Sequence, residues 1–272
     1  RGAVIGLAVV TLIVLIAIFA TVLAPHPPLE QYKGFTKLPP IWMDGSDSRF
    51  WLGTDAVGRD MLSRLMYGAR VSLFIGIAVM VVSMVFGIAL GLAAAWFGGI
   101  VDTIIIRVMD LIMSIPSLVL AILIIAIIGP NLTNTIVAVT IVGLPRYVRL
   151  VRASAMTELT KDYVTAAKVA GVRPWRLMTV TVLPNCLAPL IVQAALGLSD
   201  AILEAAGLGF LGLGAQPPTP EWGAMLADTR DLMVSHPWVM AFPGIAILVT
   251  VLAINLMGDG LRDALDPRLG RS

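Results

Sequence analysis

"DYVTAAKVAGVRPWRLMTVTVLPN", residues 162–185, interrupts a chain that is otherwise mostly apolar. Its chemistry reads as helix, turn, helix. Thr160 is placed to cap the first helix, and Asp162 lies in the first turn, where a negative charge suits the positive end of the helix dipole. Ala166 and Ala167 put small side chains on that helix, so another backbone can approach closely. Gly171 suits the left-handed conformation that ends a helix, and Pro174 suits the first turn of a second one. Trp175, Leu177 and Met178 supply apolar anchors beside Arg173 and Arg176. Pro184 is expected to stop this second helix and to start the next apolar run. On physics alone two readings stay open. The pair could rest on a membrane surface, or it could dock its small-residue face into a partner's groove.

The surroundings decide the class. Apolar types make up 58 % of the 272 residues and charged types 13 %, where soluble domains carry about a quarter charged residues. A soluble core cannot absorb that surplus, so it must face lipid. The chain reads as an all-α integral membrane protein. A formal net charge of +2 without a basic block argues against a nucleic-acid partner. His26 and His236 lie far apart without cysteine or carboxylate company at ligand spacing, so no metal site is expected. Cys186, the single cysteine, cannot form an internal disulfide and reads as a small buried hydrophobe. The chain opens on Arg1 rather than Met, so some N-terminal sequence is expected to precede it.

A bilayer core needs about 20 apolar residues in a helix, and charge-free runs mark six spans. They are Ala3–Ala24, Val71–Phe97, a third with its core at Leu111–Ile128 reaching back to Thr103, a fourth beginning at Thr135–Pro145 and ending in "RYVRLVR", a fifth beginning at Cys186–Ser199 and continuing through Asp200 and Glu204, and His236–Met257. Both termini then share a side. Arg146, Arg149, Arg152, Lys161, Lys168, Arg173 and Arg176 cluster between spans four and five, and Arg262, Arg268 and Arg271 follow span six. The positive-inside rule makes these segments cytoplasmic. Residues 25–70 disagree: they should be external, yet carry Lys33, Lys37, Arg49, Arg59, Arg64 and Arg70. That loop is long enough to fold as a small periplasmic subdomain. The expected organisation is span one over 1–24, this loop over 25–70, a five-helix core over 71–258 with a cytoplasmic loop at 154–185, and a cytoplasmic tail at 259–272.

The quoted stretch also resembles a known signature. "TAAKVAG", nine residues and "TVLP" look like the cytoplasmic loop of ABC-importer permeases, whose usual form is Glu-Ala-Ala, three residues, Gly, nine residues, Ile-x-Leu-Pro. The match covers Ala166, Ala167, Gly171, Leu183 and Pro184; Thr165 stands where the signature has Glu, and Thr181 where it has Ile. "FWLGTDAVGRDMLSRLMYGARVSL" (50–73), "LEAAGLGFLGLGAQPPTPEWGAML" (203–226) and "DGLRDALDPRLG" (259–270) are similar to segments of the peptide and nickel importers, in the second of their two permease subunits, and nearest to the dipeptide systems. The resemblance implies a six-helix permease fold in the bacterial inner membrane. It implies that the loop is a coupling helix seated on a cytoplasmic ATPase, with Arg173, Trp175 and Arg176 beside the matched residues. It further implies a second homologous permease, two ATPase subunits that bind ATP and Mg, and a periplasmic substrate-binding protein that supplies most of the selectivity.

The chain itself has no Gly-Lys dipeptide and therefore no Walker A loop. It has no His-Glu-x-x-His and no Gly-x-Ser-x-Gly, so neither a catalytic site nor a cofactor of its own is expected. "GLGFLG" (207–212) matches a dinucleotide fingerprint only in letters, because it ends a membrane span rather than following a strand. Its glycines, like Gly87 and Gly91 in span two, read as sites of close helix packing. Charges within spans usually face the bundle interior or water. Arg107 and Asp110 are expected to pair locally. Asp200 and Glu204 share one face of span five. With Asp110, Ser114 and Ser117 they form the candidate lining of a translocation path, while a structural contact with the partner permease is the other option for Asp200 and Glu204. Pro116 should kink span three. Competing classes are a self-contained secondary transporter or channel, for which no inverted repeat is visible, and a membrane enzyme, for which no nucleophile or metal constellation is visible.

Overall fold

The computed structural model describes residues 1–265, and among these the regular elements are helices, with one isolated bridge between Thr54 and Asp60. Helices α1 (Gly2–Ile18) and α2 (Ala20–Leu23) break at Phe19 and together reach roughly 33 Å at 1.5 Å per residue. They are followed by α3 (Met61–Phe97), α4 (Gly99–Met113), α5 (Ser117–Ile128) and α6 (Leu132–Leu159). The short helices α7 (Asp162–Val169) and α8 (Pro174–Arg176) lead into α9 (Leu187–Phe210), and α10 (Trp222–Asp228) precedes α11 (Pro237–Leu265). Three helical stretches, Met61–Phe97, Pro174–Phe210 and Pro237–Leu265, are each long and apolar enough to cross a membrane, and the bent α4–α5 pair makes a fourth. The α1–α2 pair and α6, whose second half carries the arginines, complete the six of the expected fold.

Several boundaries differ from the sequence expectation, each for a local reason. Helix α3 starts at Met61, not Val71, because Asp60 caps it, accepting from the Ser63 N–H at 3.0 Å and the Ser63 hydroxyl at 2.5 Å. Residues 61–70 therefore belong to the helix and not to the loop. Pro116 does more than kink span three: α4 and α5 meet at 94°. The Ser114 N–H turns back to Asp110 and Leu111, its hydroxyl to the Leu111 carbonyl at 2.7 Å, and Pro116 is extended at ψ 135° with no N–H to give. Pro145 lies inside α6, which continues through the basic run to Leu159 and takes up the start of the predicted 154–185 loop. Pro184 does not stop a helix. Residues 174–210 are helical throughout, passing through a π turn at Leu177–Val182 and a 3₁₀ turn at Leu183–Cys186 that absorb the missing donor. Thr160 does not cap α7: Lys161 holds that position without a side-chain bond, and the Thr160 hydroxyl donates to the Thr157 carbonyl. Of the predicted tail, 259–265 extend α11, while Arg268, Arg271 and the rest of 266–272 lie outside the described residues.

Helices α3 and α9 form the middle of the bundle. On one side α1 and α11 pack against them, and Leu73, Ile202, Trp222, Met225, Val239 and Ile254 make the core there. On the other side lie α4, α5 and α6, with Ile75, Val79, Ile125, Val139 and Leu208 buried between. The glycine pair predicted as a helix contact is one. A Cβ on Gly87 would stand 2.3 Å from the Tyr147 Cβ, and one on Gly91 would stand 2.7 Å from the Val151 Cβ and 2.8 Å from the Val148 carbonyl.

Residues 25–60 fold as a unit over one end of the bundle. Phe50 is its buried centre, with the rings of His26, Tyr32 and Phe35 around it and the Arg49 guanidinium 4.3 Å from the Phe35 ring. Arg59 and Arg64 are buried against Asp55, at 2.5 and 3.5 Å, and Asp228 of α10, at 3.3 and 3.6 Å. Arg49 pairs with Asp47 at 2.8 Å. Half of the basic residues that made this loop disagree with the charge rule are thus neutralised by acids in the folded chain.

Gly91→Leu should destabilise the protein by about 1–3 kcal/mol, the usual cost of overpacking, because the colliding atoms include α6 backbone. The thermal denaturation midpoint of the detergent-purified protein reads this, with Gly98→Leu, which meets no atom within 4 Å but has φ +59°, as the control for backbone strain without collision.

Candidate functional site

Two features stand out chemically: the helical hairpin over 162–186 and a charged row where α4, α6 and α9 meet. In the hairpin the turn is built as the glycine implied. Gly171 has φ +77°, its N–H bonds the Lys168 carbonyl at 3.0 Å, and the Val172 N–H bonds the Ala167 carbonyl at 3.1 Å, the paired bonds of a Schellman cap. Pro174 occupies the first turn of α8. Beneath, Val164, Leu177, Met178, Val182 and Cys186 are buried against Leu92 of α3 and Tyr147, Val151 and Ala155 of α6. Outward, the hairpin shows an apolar and basic face. Val169 is 85 % exposed and Trp175 64 %, with Ala166, Ala170, Gly171, Arg173 and Arg176 exposed around them. Ala167 and Leu183 are half-buried, and Pro184 is exposed at the root.

A polar clasp fixes the hairpin to both neighbouring helices. The Tyr163 hydroxyl donates to Glu158 Oε2 on α6 at 2.6 Å, and Asn185, just before α9, donates its Nδ2 to the Tyr163 oxygen at 3.2 Å. Lys161 Nζ reaches Glu158 Oε1 at 2.6 Å. Burial, together with the hydrogen bond to Glu158 and its charge, pushes the Tyr163 phenol up to about 12, so it remains a donor at any physiological pH. Sequence reading did not single out Glu158, Tyr163 or Asn185, because no one of them is unusual and only the fold brings them together.

In the charged row, Arg146, Arg149 and Arg152 stand three apart along α6 and so follow one face. Arg152 binds Asp102 of α4 in a fork, one arm at 2.6 Å. Arg149 pairs with Asp110 of α4, and Arg146 with Asp200 of α9. The expected local pair of Arg107 with Asp110 is not formed: Asp110 faces α6, and Arg107 is exposed. Asp200 and Glu204 line a cavity of about 20 Å³ with Arg146, Tyr147 and Gln193, room for about one water. Asp110, Ser114 and Ser117 do not line it; Asp110 sits on the next rung, and the two serines flank the α4–α5 break. The three-residue spacing of the arginines is the sequence signal for this row; it fixes their shared face but not their partners.

Of the glycines of 207–212, Gly209 is a close-packing site and Gly212 serves a backbone turn. Gly212 closes α9 at φ +78°, and a Cβ on Gly209 would lie 2.7 Å from Oε2 of Glu221. Glu221, buried, caps α10 through the Gly223 and Ala224 N–H groups, both at 2.8 Å, and accepts from Ser72 of α3 at 3.1 Å.

With this geometry in view, residues 87–271 match the binding-protein-dependent transport system inner membrane component. The chain belongs to that family of permeases. Residues 1–40 match the N-terminal transmembrane domain of oligopeptide transport permease C. Over 269 residues, 99 % of this chain, it is 57 % identical to the di/tripeptide transport system permease protein DppC of Pseudomonas aeruginosa, covering 89 % of that protein. It is also 57 % identical to the dipeptide transport system permease protein DppC of Escherichia coli K12, covering 90 % of it. Its fold is similar to a chain of the inward-facing MetNI methionine ABC transporter, with TM-score 0.61 and 20 % identity over 76 % of this chain and 98 % of that one. Within this permease family the hairpin occupies the place where the loop signature was found.

Tyr163→Phe removes both hydroxyl bonds, the one to the charged Glu158 worth about 1.5–3 kcal/mol and the one from Asn185, without touching the buried anchors. Amide hydrogen exchange over residues 162–173 should accelerate, while exchange in the centre of α3 stays unchanged.

Proposed function

We propose that this chain is a membrane-spanning permease subunit of an ATP-driven importer that carries dipeptides and short oligopeptides across the bacterial inner membrane. The observation that carries this reading is the near-full-length similarity to dipeptide permeases, in a chain whose signature loop forms an exposed, capped hairpin. The chain is a conduit and not an enzyme. ATP and Mg are bound by two partner ATPase subunits, a second homologous permease completes the path, and a periplasmic protein delivers the peptide. The arginine- and lysine-rich stretch 146–176 supports a cytoplasmic hairpin and termini, with the 25–60 unit in the periplasm.

In this reading Ala166, Ala167, Gly171, Arg173, Trp175 and Arg176 meet an ATPase groove, with Leu183 and Pro184 at the root. The small residues allow backbone approach and Trp175 supplies the anchor. Movement of that ATPase then reaches the bundle through Val164, Leu177 and Met178, which pack on α6, and through the continuous helix into α9. Those two helices carry Arg146 and Asp200. Both side chains are nearly half exposed within this subunit, and charges at that depth need water or protein beside them. The path therefore runs along this face, with Asp200 and Glu204 at its narrow point and Asp110, Ser114 and Ser117 along it. A zwitterionic peptide brings an ammonium for Asp200 and a carboxylate for Arg146, so each charge keeps a partner while α6 and α9 separate.

Two measurements test the reading. Gly171→Asp adds a charged side chain where no atom of this chain lies within 4 Å but where φ is +77°, so Gly171→Asn, which carries the same backbone strain without the charge, separates the effect of the charge on the docked partner from strain in the turn. ATP hydrolysis stimulated by dipeptide-loaded binding protein should be lost in the reconstituted transporter, whereas undiminished stimulation and uptake would remove the coupling role. Asp200→Asn combined with Glu204→Gln should lower peptide uptake by roughly tenfold, equivalent to about 1.4 kcal/mol. Uptake at the wild-type rate would take these two residues off the path.

A further inference from the structure

The 25–60 unit ends in an apolar tip that the transport reading leaves unused. Ile41, Trp42, Met43 and Trp51 are all exposed, the two tryptophans at 66 % and 62 %. They are held together as one surface, because the Ile41 N–H donates to the Trp51 carbonyl at 3.0 Å. The tip does not point away from the bundle. The Trp42 ring meets the ring of Phe242, in the second turn of α11, edge to face at 6.2 Å between centroids.

Phe242 belongs to an apolar groove between α1, α3 and α11, lined by Ile13, Leu65, Ile245 and Val249 among others. The one hydroxyl in that groove, on Thr250, is already spent on the Ala246 carbonyl at 2.7 Å. Helices α1 and α11 lie across α3 and α9 from the charged row on α6. The bundle thus has a face with ion pairs, suited to water or a partner protein, and a face with none among the described residues, suited to lipid. Trp42 stands over the second.

We propose that the tip formed by Ile41, Trp42, Met43 and Trp51 is a membrane-interface anchor that seats the folded 25–60 unit in the headgroup region of the leaflet on its side. Tryptophan favours that zone, where an amphipathic ring lies between wet and apolar surroundings. Lys37 and Asp44, both exposed, bracket the tip and hold it at headgroup depth rather than in the hydrocarbon. With the tip in the interface, and with Arg59 of the unit pinned to Asp228 of α10 and Asp55 to Arg64 of α3, the unit is held both by lipid and by the bundle. The inference needs only that the chain spans a bilayer and stands whatever the cargo.

The test uses the assembled transporter in nanodiscs of phosphatidylcholine that is unmodified, brominated near the headgroup, or brominated near the chain end. Subtracting the emission of Trp42→Phe from wild type isolates Trp42, and Trp51→Phe does the same for Trp51. Trp175→Phe isolates the hairpin tryptophan, which the proposed ATPase contact covers, as a reference away from lipid. Bromine near the headgroup should lower the Trp42 emission at least about twofold, and more than bromine near the chain end does. Trp175 emission should not change. Trp42 emission untouched by either lipid overturns the proposal. Red-shifted emission would then mean a tip in water, and blue-shifted emission a tip covered by the second permease. Should Trp42→Phe fail to assemble, Met43→Ser carries the test by a different reading: an anchored tip predicts red-shifted total tryptophan emission and weaker lipid quenching in this variant than in wild type, and total emission and quenching equal to wild type overturn the proposal.

Discussion

A charge that enters a bilayer must bring its partner with it, and the arrangement of α6 follows from that constraint. Three arginines on one face of a helix would be costly if they met hydrocarbon. Here each meets an acid from another helix: Asp102 and Asp110 from α4, and Asp200 from α9. Helix α4 owes its place to this. Its acids face α6 while Ile100, Ile104 and Leu111 stay exposed on its other surface, and the sharp turn at Pro116 lets α5 leave the arginines and pack into the apolar layer with Ile125. The close approach of α3 to α6 at Gly87 and Gly91 holds the opposite side of the same helix. The result is an α6 fixed by packing on one face and by ion pairs on another.

The hairpin inherits its mechanical meaning from that helix. It is no appendage on a loop, because its two ends are the end of α6 and the start of the helical stretch that becomes α9. Tyr163 bonds to both ends, through Glu158 and Asn185. A displacement of the hairpin is therefore shared between two membrane helices rather than dissipated in a flexible connection. The π and 3₁₀ turns between Leu177 and Cys186 lie where this displacement would enter α9, and irregular turns of this kind often mark hinges.

What could be read from the sequence was local. Gly171 and Pro174 announce a capped turn because their conformational demands need no distant partner, and the same holds for Gly87 and Gly91 as small residues one turn apart. Pro184 misled because proline forbids one hydrogen bond but not a helix, and a π turn re-registers the chain around it. Arg107 and Asp110 were matched by spacing, yet Asp110 lies closer to an arginine on another helix. Arg59 and Arg64 count against the charge rule because that rule gives acids little weight, and of their two counter-charges Asp55 is near in sequence while Asp228 is far along the chain. The hairpin was thus visible beforehand and the charged row only in part: its acids drew notice, and the fold supplied their partners.

The Arg146–Asp200 pair joins these two constraints. It bridges the pair of helices between which the hairpin is strung, and it closes over a cavity with room for about a single water. Separating α6 from α9 by enough to admit a peptide means breaking that pair. An isolated break would leave two half-exposed charges without their partners, costly to the extent that water is kept from them. The cost falls if water enters, or if the solute carries one charge of each sign at a spacing that reaches both groups. On the proposed path, an ion pair in this position would be a gate that is expensive to open empty and cheaper to open around a zwitterion. It would favour free peptide termini without any pocket shaped to a side chain.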